Sequence, residues 1–565
     1  MYNSIGQLTH QLHGKKKVKT GCKTCKTRRV KCDESRPACR RCISTGRVCS
    51  GYGIWGGGGS PYNQPQSNRA LSVYCTPVPA GNLSREEQIH FDWFLDKTTR
   101  KFAGLFVSDF WETLVFQASA QEPAVRHAIV ALSAAHRIEQ GEGLWAIPTT
   151  YGFDVEQFTL QQYNKAITHL RIVTGSTGKD NLRVALITCM IFVTLEYLRG
   201  QYQKGSTHLY YGIQLLSNIS VLQPRSSISP NILSHAEDFA HNALIDSYSR
   251  LSIQAAMFGH VPWHMFVMSR DPRENALPYT FSSLLGARQT LDDLLNRIHC
   301  LERHCYRLRA SQLPTKNLET LDIQRKILDD LSLWRKIYDA SLARIEADAD
   351  RKEKFGLRLL TIYYELAVVM ASVCLSEDEI IFDSHTENFI AILTGFVNLW
   401  NYWASLTTEI KEVKDMLCDP ESEKSCHGFT VESGFILPMY YTALKCRIPR
   451  IRRLAIRILR SAPHREGVWN GPLLAKVLEE VIRIEENGLC TVDTGDEEDA
   501  DLQSPKTKDF FRPNINLSSR IWDVSVILPD RDDDDTFMSY KKRIDNGQWI
   551  TIKQKIASRH FWQPN

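Results

Sequence analysis

No G-x-S-x-G elbow, P-loop or H-E-x-x-H pair occurs in the 565 residues, and no carboxylate pair sits in a recognisable catalytic frame. These absences remove the usual hydrolase, nucleotide-binding and metalloprotease signatures, and the chain reads as a non-enzyme. Met1–Gly14 has no apolar stretch behind a basic start, so no secretory signal is expected. Period-two alternation is scarce before Ile521–Leu528, which argues against a β-rich fold. No a/d apolar repeat of three heptads lies between Ser50 and Leu83, so a coiled-coil dimer is unsupported there and the oligomeric state stays open. Asn388–Thr408 runs 21 residues without a charge, long enough to span a bilayer. Yet Asn398 and Asn401 lie centrally, Glu387 and Glu409 flank it, and no basic cluster sets an orientation. Phe389, Ile392, Phe396, Trp400 and Trp403 recur there at helical spacing. It reads as a core helix, and no membrane partner is expected.

What the chain does have is cysteine at regular intervals. Cys22, Cys25 and Cys32, then Cys39, Cys42 and Cys49, repeat the spacing C-x2-C-x6-C. A disulfide framework needs an oxidising compartment, to which nothing directs the chain. One four-thiolate zinc site on Cys22, Cys25, Cys39 and Cys42 would leave Cys32 and Cys49 spare, each at the same distance behind its CxxC. A site using all six binds two Zn2+, and tetrahedral coordination then requires two bridging sulfurs. The repeat makes the first cysteine of each half, Cys22 and Cys39, the natural bridging pair.

The segment is also basic. Lys15 to Cys49 carries thirteen Lys/Arg against Asp33 and Glu34, a balance of +11 in a chain whose total is only +5. Six thiolates and two zinc ions sum to about −2, which cannot account for that surplus. A module this short buries too little to fold alone, so metal supplies the folding energy. The first half is the more cationic. A short helix after Cys25 would project Arg28 and Arg29 from its exposed end, and arginine pairs bidentately with guanine in the major groove.

Gly21 to Cys49, GCKTCKTRRVKCDESRPACRRCISTGRVC, resembles the fungal binuclear zinc cluster (Zn2Cys6) transcription factors, with Pro37 in the joining loop. The resemblance implies two Zn2+ per chain, bridged by the first and fourth cysteines, Cys22 and Cys39. It implies duplex DNA as partner, with basic residues before the third cysteine contacting a CGG-like triplet; these fall on Arg28 and Arg29. Lys23, Lys26, Lys31, Arg40 and Arg41 are then assigned to phosphates, which position without specifying. Lys15, Lys16, Lys17 and Lys19 extend the phosphate contacts, direct the chain to the nucleus, or form a solvated arm. The expected role is regulation of RNA polymerase II transcription in the nucleus.

The fold class expected is a small Zn2Cys6 domain followed by a large, predominantly α-helical domain. Its layout is a basic arm (1–21), the cluster (22–49), a flexible linker (50–83), a helical regulatory domain (84–490), an acidic loop (491–512) and a C-terminal segment with short strands (513–565). The Gly56–Ser60 stretch resembles a flexible linker, and its G-x-G-x-x-G match at Gly51, Gly53 and Gly56 lacks the flanking strand and helix that would give it meaning. Ser84-Arg85-Glu86-Glu87 is a capping box opening a helix that presents Ile89, Phe91, Phe94 and Leu95. Glu122-Pro123 opens a second, with Val125, Ile129, Leu132 and His136 on one face. Arg183–Arg199 and Gly205–Ile219 form an antiparallel pair, and Leu321–Ile345 presents Ile327, Leu331, Trp334 and Tyr338. Phe110–Leu114, Glu122–Arg137 and Lys445–Leu459 resemble the same family's fungal-specific regulatory domain, which implies control by a metabolite or by co-regulators and the transcription machinery.

Three further features have two readings each. His127 and His136 lie on an apolar helix without Cys or carboxylate company and read as core histidines rather than ligands. Arg447, Arg450, Arg452, Arg453, Arg457 and Arg460 form either a second nucleic-acid surface or the solvated face of a helix whose apolar side is Ile451, Leu454, Ile458 and Leu459. Asp493–Asp501 and Asp532–Asp535 are acidic runs; the second, with Phe537 and Met538, resembles an activation segment or is a solvated loop. A second class of function is a metabolite-sensing helical protein whose zinc cluster has a secondary or redox-sensing role.

Overall fold

The computed structural model describes residues 24, 25, 28–33 and 39–45, then 83–140, 155–174, 179–221, 232–258, 277–407, 428–486 and 515–557, with single-residue or short gaps inside several of these. The chain divides into two compact units, Met1–Val73 and Tyr74–Asn565.

Among the described residues the small unit has a four-residue helix, α1 (Arg40–Ile43). Among the described residues of this unit the buried cluster is Cys25, Cys32, Cys39 and Cys42, with Val30 packed against them.

The large unit begins as its sequence dictates. The Ser84 hydroxyl accepts the Glu87 N–H at 3.2 Å, and the Glu87 carboxylate accepts the Ser84 N–H at 2.9 Å. This reciprocal cap starts α2 (Arg85–Trp93), which runs through a wider π turn, Phe94–Thr98, into α3 (Thr99–Phe102). Phe91 and Phe94 are buried, but Ile89 and Leu95 of the expected apolar face are exposed. At 100° per residue Phe91 and Phe94 share the buried face with Glu87 and His90, and Ile89 and Leu95 fall outside it. α4 (Val115–Gln121) leads to α5 (Pro123–Glu139), where Pro123 fills the first helical turn and Val125, Ile129, Leu132 and His136 are all buried.

α6 (Val155–Thr174) packs on α5, and α7 (Lys179–Leu198) turns back into α8 (Tyr202–Val221). Gly200, at φ 73°, makes that turn, and a Cβ on Gly205 would lie 2.5 Å from the Tyr197 ring. α9 (Ile232–Met257), α10 (Leu284–Ala310), α11 (Leu318–Asp348), α12 (Arg351–Val373) and α13 (Thr386–Thr407) complete the long helices. Ile327, Leu331, Trp334 and Tyr338 of α11 are buried against α10 and α12. In α13, Phe389, Ile392 and Phe396 are buried and Trp400 is partly exposed; the Trp403 side chain lies outside the described residues. Asp180–Leu198 and Arg351–Val373 are long and apolar enough to cross a membrane, yet 78% and 67% of their apolar windows is buried inside the fold. These are core helices.

The last part adds α14 (Ile436–Lys445), α15 (Pro449–Arg460) and α16 (Gly471–Glu486). A small sheet orders β1 (Gly428–Thr430), β2 (His464–Glu466) and β3 (Trp469–Asn470), with β1 and β2 parallel and β2 and β3 antiparallel. The fully buried Glu466 carboxylate accepts the N–H groups of Gly434 (2.8 Å) and Phe435 (3.0 Å), capping the start of α14. A second, antiparallel sheet follows: β4 (Ile521–Ile527), β5 (Thr536–Arg543) and β6 (Trp549–Ala557), in that order. The alternation at Ile521–Leu528 is β4, and the short strands expected in 513–565 include β5 and β6. β5 corrects the activation-segment reading, because Phe537 and Met538 are committed to strand pairing and Met538 is fully buried. Residues 491–501 lie outside the described residues.

The arginine run divides between burial and the solvated-face reading given to it. Arg447 and Arg452 are buried, Arg453 and Arg457 half-buried, and only Arg450 and Arg460 exposed. Arg447 Nη2 lies 2.7 Å from Glu485 Oε1 and 3.2 Å from Glu379 Oε2; Arg452 Nη1 lies 2.9 Å from Glu485 Oε2. Burial alone would raise the Glu485 pKa, but Arg447 and Arg452 more than offset it and hold it low. Arg447 and Arg452 are internal wiring to Glu379 and Glu485, whereas Arg450, Arg453, Arg457 and Arg460, with Ile451, Ile458 and Leu459 buried behind them, form the solvent side of α15.

Candidate metal centre and nucleic-acid interface

Each described half of the cysteine repeat is built as a short helical turn around sulfur. In the first, Arg28 N–H donates to the Thr24 carbonyl and Val30 N–H to the Cys25 carbonyl, both at 3.1 Å. The second bond closes a helix end six-to-one, and the residue just before Val30 takes the left-handed conformation. That residue is Arg29, at φ 55°. In the second half Cys39 is the N-cap of α1, its Sγ accepting the Cys42 N–H at 3.3 Å.

The sulfurs converge. Cys25 Sγ lies 3.6 Å from Cys39 Sγ and 3.9 Å from Cys42 Sγ, and the sulfurs of Cys25, Cys32 and Cys39 all lie within 4.8 Å of one another. A disulfide needs about 2.0 Å. Thiolates at tetrahedral corners about 2.3 Å from one zinc sit about 3.8 Å apart, which is the spacing seen. All four are at most 5% exposed. The donor set therefore fits zinc, with Cys39 belonging to the Cys25–Cys32 group while also bonding the Cys42 turn. Cys22 and Cys49 lie outside the described residues.

The cations divide by exposure. Arg29, Lys31, Arg40 and Arg41 are exposed, whereas Arg28 is half-buried and its Nη1 donates to Thr45 Oγ1 at 3.4 Å. Thr45 stands at the position of Arg28 in the second repeat, three residues after the CxxC, so the contact joins equivalent points of the two halves. Lys23 and Lys26, and Lys15, Lys16, Lys17 and Lys19, lie outside the described residues.

Sequence reasoning missed one residue. Asp33, counted only as an opposing charge, accepts the backbone N–H of Arg40 through Oδ1 (3.0 Å) and of Arg41 through Oδ2 (2.8 Å). The signal available was its position directly after the third cysteine, ahead of a helix whose own first turn carries no acid. In the large unit, His136 is buried with Nδ1 2.9 Å from Thr98 Oγ1, and the half-buried His127 pairs Nδ1 with Gln162 Oε1 at 2.8 Å. Neither joins a metal-like group among the described residues, where only the cysteines do.

Comparison with known proteins gives the same division of the chain. Residues 20–54 match the fungal Zn(2)-Cys(6) binuclear cluster domain, and residues 91–375 match the fungal specific transcription factor domain. The chain is 25% identical over 408 residues to the aspercryptin biosynthesis cluster-specific transcription regulator atnN of Emericella nidulans, covering 66% of this chain and 63% of that protein. It is 30% identical over 204 residues to the transcription regulator lscL of Purpureocillium lilacinum, covering 34% and 46% respectively. The transcriptional regulatory protein moc3 of Schizosaccharomyces pombe is 55% identical over 38 residues, 7% of this chain and 8% of that one. The chain thus spans less than two thirds of the length of these curated relatives. No solved structure matches it.

Proposed function

This chain belongs to the fungal Zn(2)-Cys(6) transcription regulators, and from that premise we propose that it regulates RNA polymerase II transcription in the nucleus by reading CGG-like triplets in duplex DNA. The observation that carries this reading is the buried sulfur group beside exposed Arg29, Lys31, Arg40 and Arg41. Cys22, Cys25, Cys32, Cys39, Cys42 and Cys49 hold two Zn2+, with Cys22 and Cys39 shared. Bound metal supplies folding energy to a unit whose described residues bury sulfur and, beside it, Val30.

Arg29 is the principal base reader. The helix end at Cys25–Val30 leaves its guanidinium exposed, free to pair with guanine O6 and N7, worth roughly 1–3 kcal/mol of discrimination. Arg28 supports it from the same turn, braced by Thr45. Lys23, Lys26, Lys31, Arg40 and Arg41 contact phosphates. Lys15, Lys16, Lys17 and Lys19 add phosphate contacts and serve as the nuclear localisation signal. The helical unit is the control domain through which an effector or co-regulator acts.

The test uses the full chain with labelled duplexes. Zinc content of about two per chain is expected, against about one for a single four-thiolate site. CGG-containing duplex should bind more tightly than a scrambled one, and chelation should abolish the difference. Arg29→Ala should reduce that preference, whereas Lys31→Ala should weaken both duplexes alike. Equal loss on both from Arg29→Ala would refute base reading by Arg29.

A further inference from the structure

We propose that the outer edge of β6 is a docking site for an extended acidic peptide segment of a partner protein, which adds to the C-terminal sheet as a fourth strand. Among the described residues β6 pairs only with β5, so its other edge presents backbone donors and acceptors along Trp549–Ala557. The strand's side chains alternate. Ile552, Gln554 and Ile556 are half-buried, with Gln554 Nε2 bonded to Glu480 of α16, while Thr551, Lys553 and Lys555 are exposed. At its start Trp549 is 46% and Ile550 39% exposed, large apolar surface on both faces of the edge.

Charge selects the occupant. β5 and β6 carry Lys541, Lys542, Arg543, Lys553 and Lys555 and no acidic residue. Carboxylates are already drawn to this surface: Asp523 pairs with Lys541 at 2.8 Å and Asp535 with Lys555 at 2.7 Å. A second copy of β6 is a poor partner, because self-pairing would bring two sets of exposed lysines together. Single-stranded nucleic acid needs open aromatic faces for base stacking. Here Lys553 sits 4.4 Å over the Phe537 ring, and Arg309 and Lys541 lie 5.4 and 5.6 Å over Trp522. Those ring faces are taken by cations, which leaves Trp549 as the one exposed aromatic among the described residues of this sheet, where successive bases need several. A strand alternating acidic with large apolar residues meets both requirements, carboxylates beside Lys553 and Lys555 and apolar groups beside Ile550 and Ile552.

The experiment measures fluorescence anisotropy of a fluorescein-labelled peptide of alternating aspartate and leucine against the full chain. Saturable binding is expected, absent for a lysine–leucine peptide. It should weaken about tenfold in Lys553→Glu/Lys555→Glu, which keeps the folded circular-dichroism spectrum although the Lys555–Asp535 pair and the Lys553–Phe537 contact are lost. Hydrogen exchange on the unsubstituted protein should slow along residues 549–557 when peptide is added. Failure to bind, slowed exchange elsewhere, or full affinity in the charge-reversed variant overturns the proposal. So does a single-stranded oligonucleotide that binds in the peptide's place and is lost in the same variant.

Discussion

Asp33 and Arg40 are joined side chain to backbone at 3.0 Å, and the second Asp33 oxygen reaches the next N–H, that of Arg41, at 2.8 Å. One carboxylate from the first half of the cysteine repeat therefore caps the helix of the second half. Since Cys39 begins that helix and Cys42 lies within it, the cap also orients two of the sulfurs. Asp33→Ala leaves two helix N–H groups without their acceptor, a cost of about 1 kcal/mol by the usual worth of a cap. Zinc-loaded protein carrying Asp33→Ala should yield metal to a chelator faster than the parent, with Asp33→Asn intermediate because its amide oxygen still accepts one bond. A metallochromic dye follows the release. Identical rates for the parent and Asp33→Ala would show that the cap does not secure the sulfurs.

Arg29 occupies a backbone conformation at φ 55° that side chains other than glycine adopt at a cost of about 1 kcal/mol. The proposed role in base reading accounts for keeping arginine there. Arg29→Gly and Arg29→Ala should both lose preference for CGG-containing duplex, but the glycine variant should melt higher than the alanine one when zinc-loaded. Selectivity retained in Arg29→Gly would move base reading to Arg28.

Much of this was readable from the chain because the informative features are local. Cysteine spacing, the Ser84–Glu87 box, Pro123 and the long apolar periodicities each act within a few residues, and the corresponding sulfur group and helices are present. What the sequence hid depends on partners far along the chain. Arg447 and Arg452 looked like part of a surface because Glu379 and Glu485, which neutralise them, lie 68 and 38 residues from Arg447. β5 was concealed for a related reason: the acidic run Asp532–Asp535 ahead of it suggested an activation segment or a loop, and only pairing on both sides makes it a central strand. Ile89 and Leu95 were misassigned because their apolar side chains drew the face away from the polar Glu87 and His90, which are the residues buried beside Phe91 and Phe94.

The arginine network should be costly to cut. Arg452 is fully buried, with Nη1 2.9 Å from Glu485 Oε2 and Nε donating to the Ala443 carbonyl at 2.9 Å. Removing one partner of such a pair strands the other charge without water, typically at about 3–5 kcal/mol. Arg452→Ala and Glu485→Ala should each lower the denaturant midpoint strongly. The double variant should lose less than the two effects added, since the second change removes a charge already stranded. Strict additivity would mean that the two groups do not stabilise one another.

Buried histidines should make the large unit acid-sensitive, and the sign separates them from a neighbouring carboxyl. Burial, then the Lys101 charge, lowers the His136 pKa to about 3; burial, then Arg137, lowers His90 to about 4. Both start from an ordinary 6.5. Below that value the unfolded chain takes up protons that the folded one refuses, so their contribution is complete above pH 6.5 and is lost as pH falls toward 4. Each adds a slope of up to about 1.4 kcal/mol per pH unit. Glu139 acts oppositely: burial raises its pKa from 4.5 to about 7 despite Arg465 and Lys101, so the folded state holds this proton longer and gains stability as pH falls through that window. Denaturant midpoints measured across pH 4.5 to 7 should therefore flatten in His136→Gln and steepen in Glu139→Gln. The same slope in both variants would mean that neither group is shifted in the folded protein, because each substitution removes a titration of opposite sign.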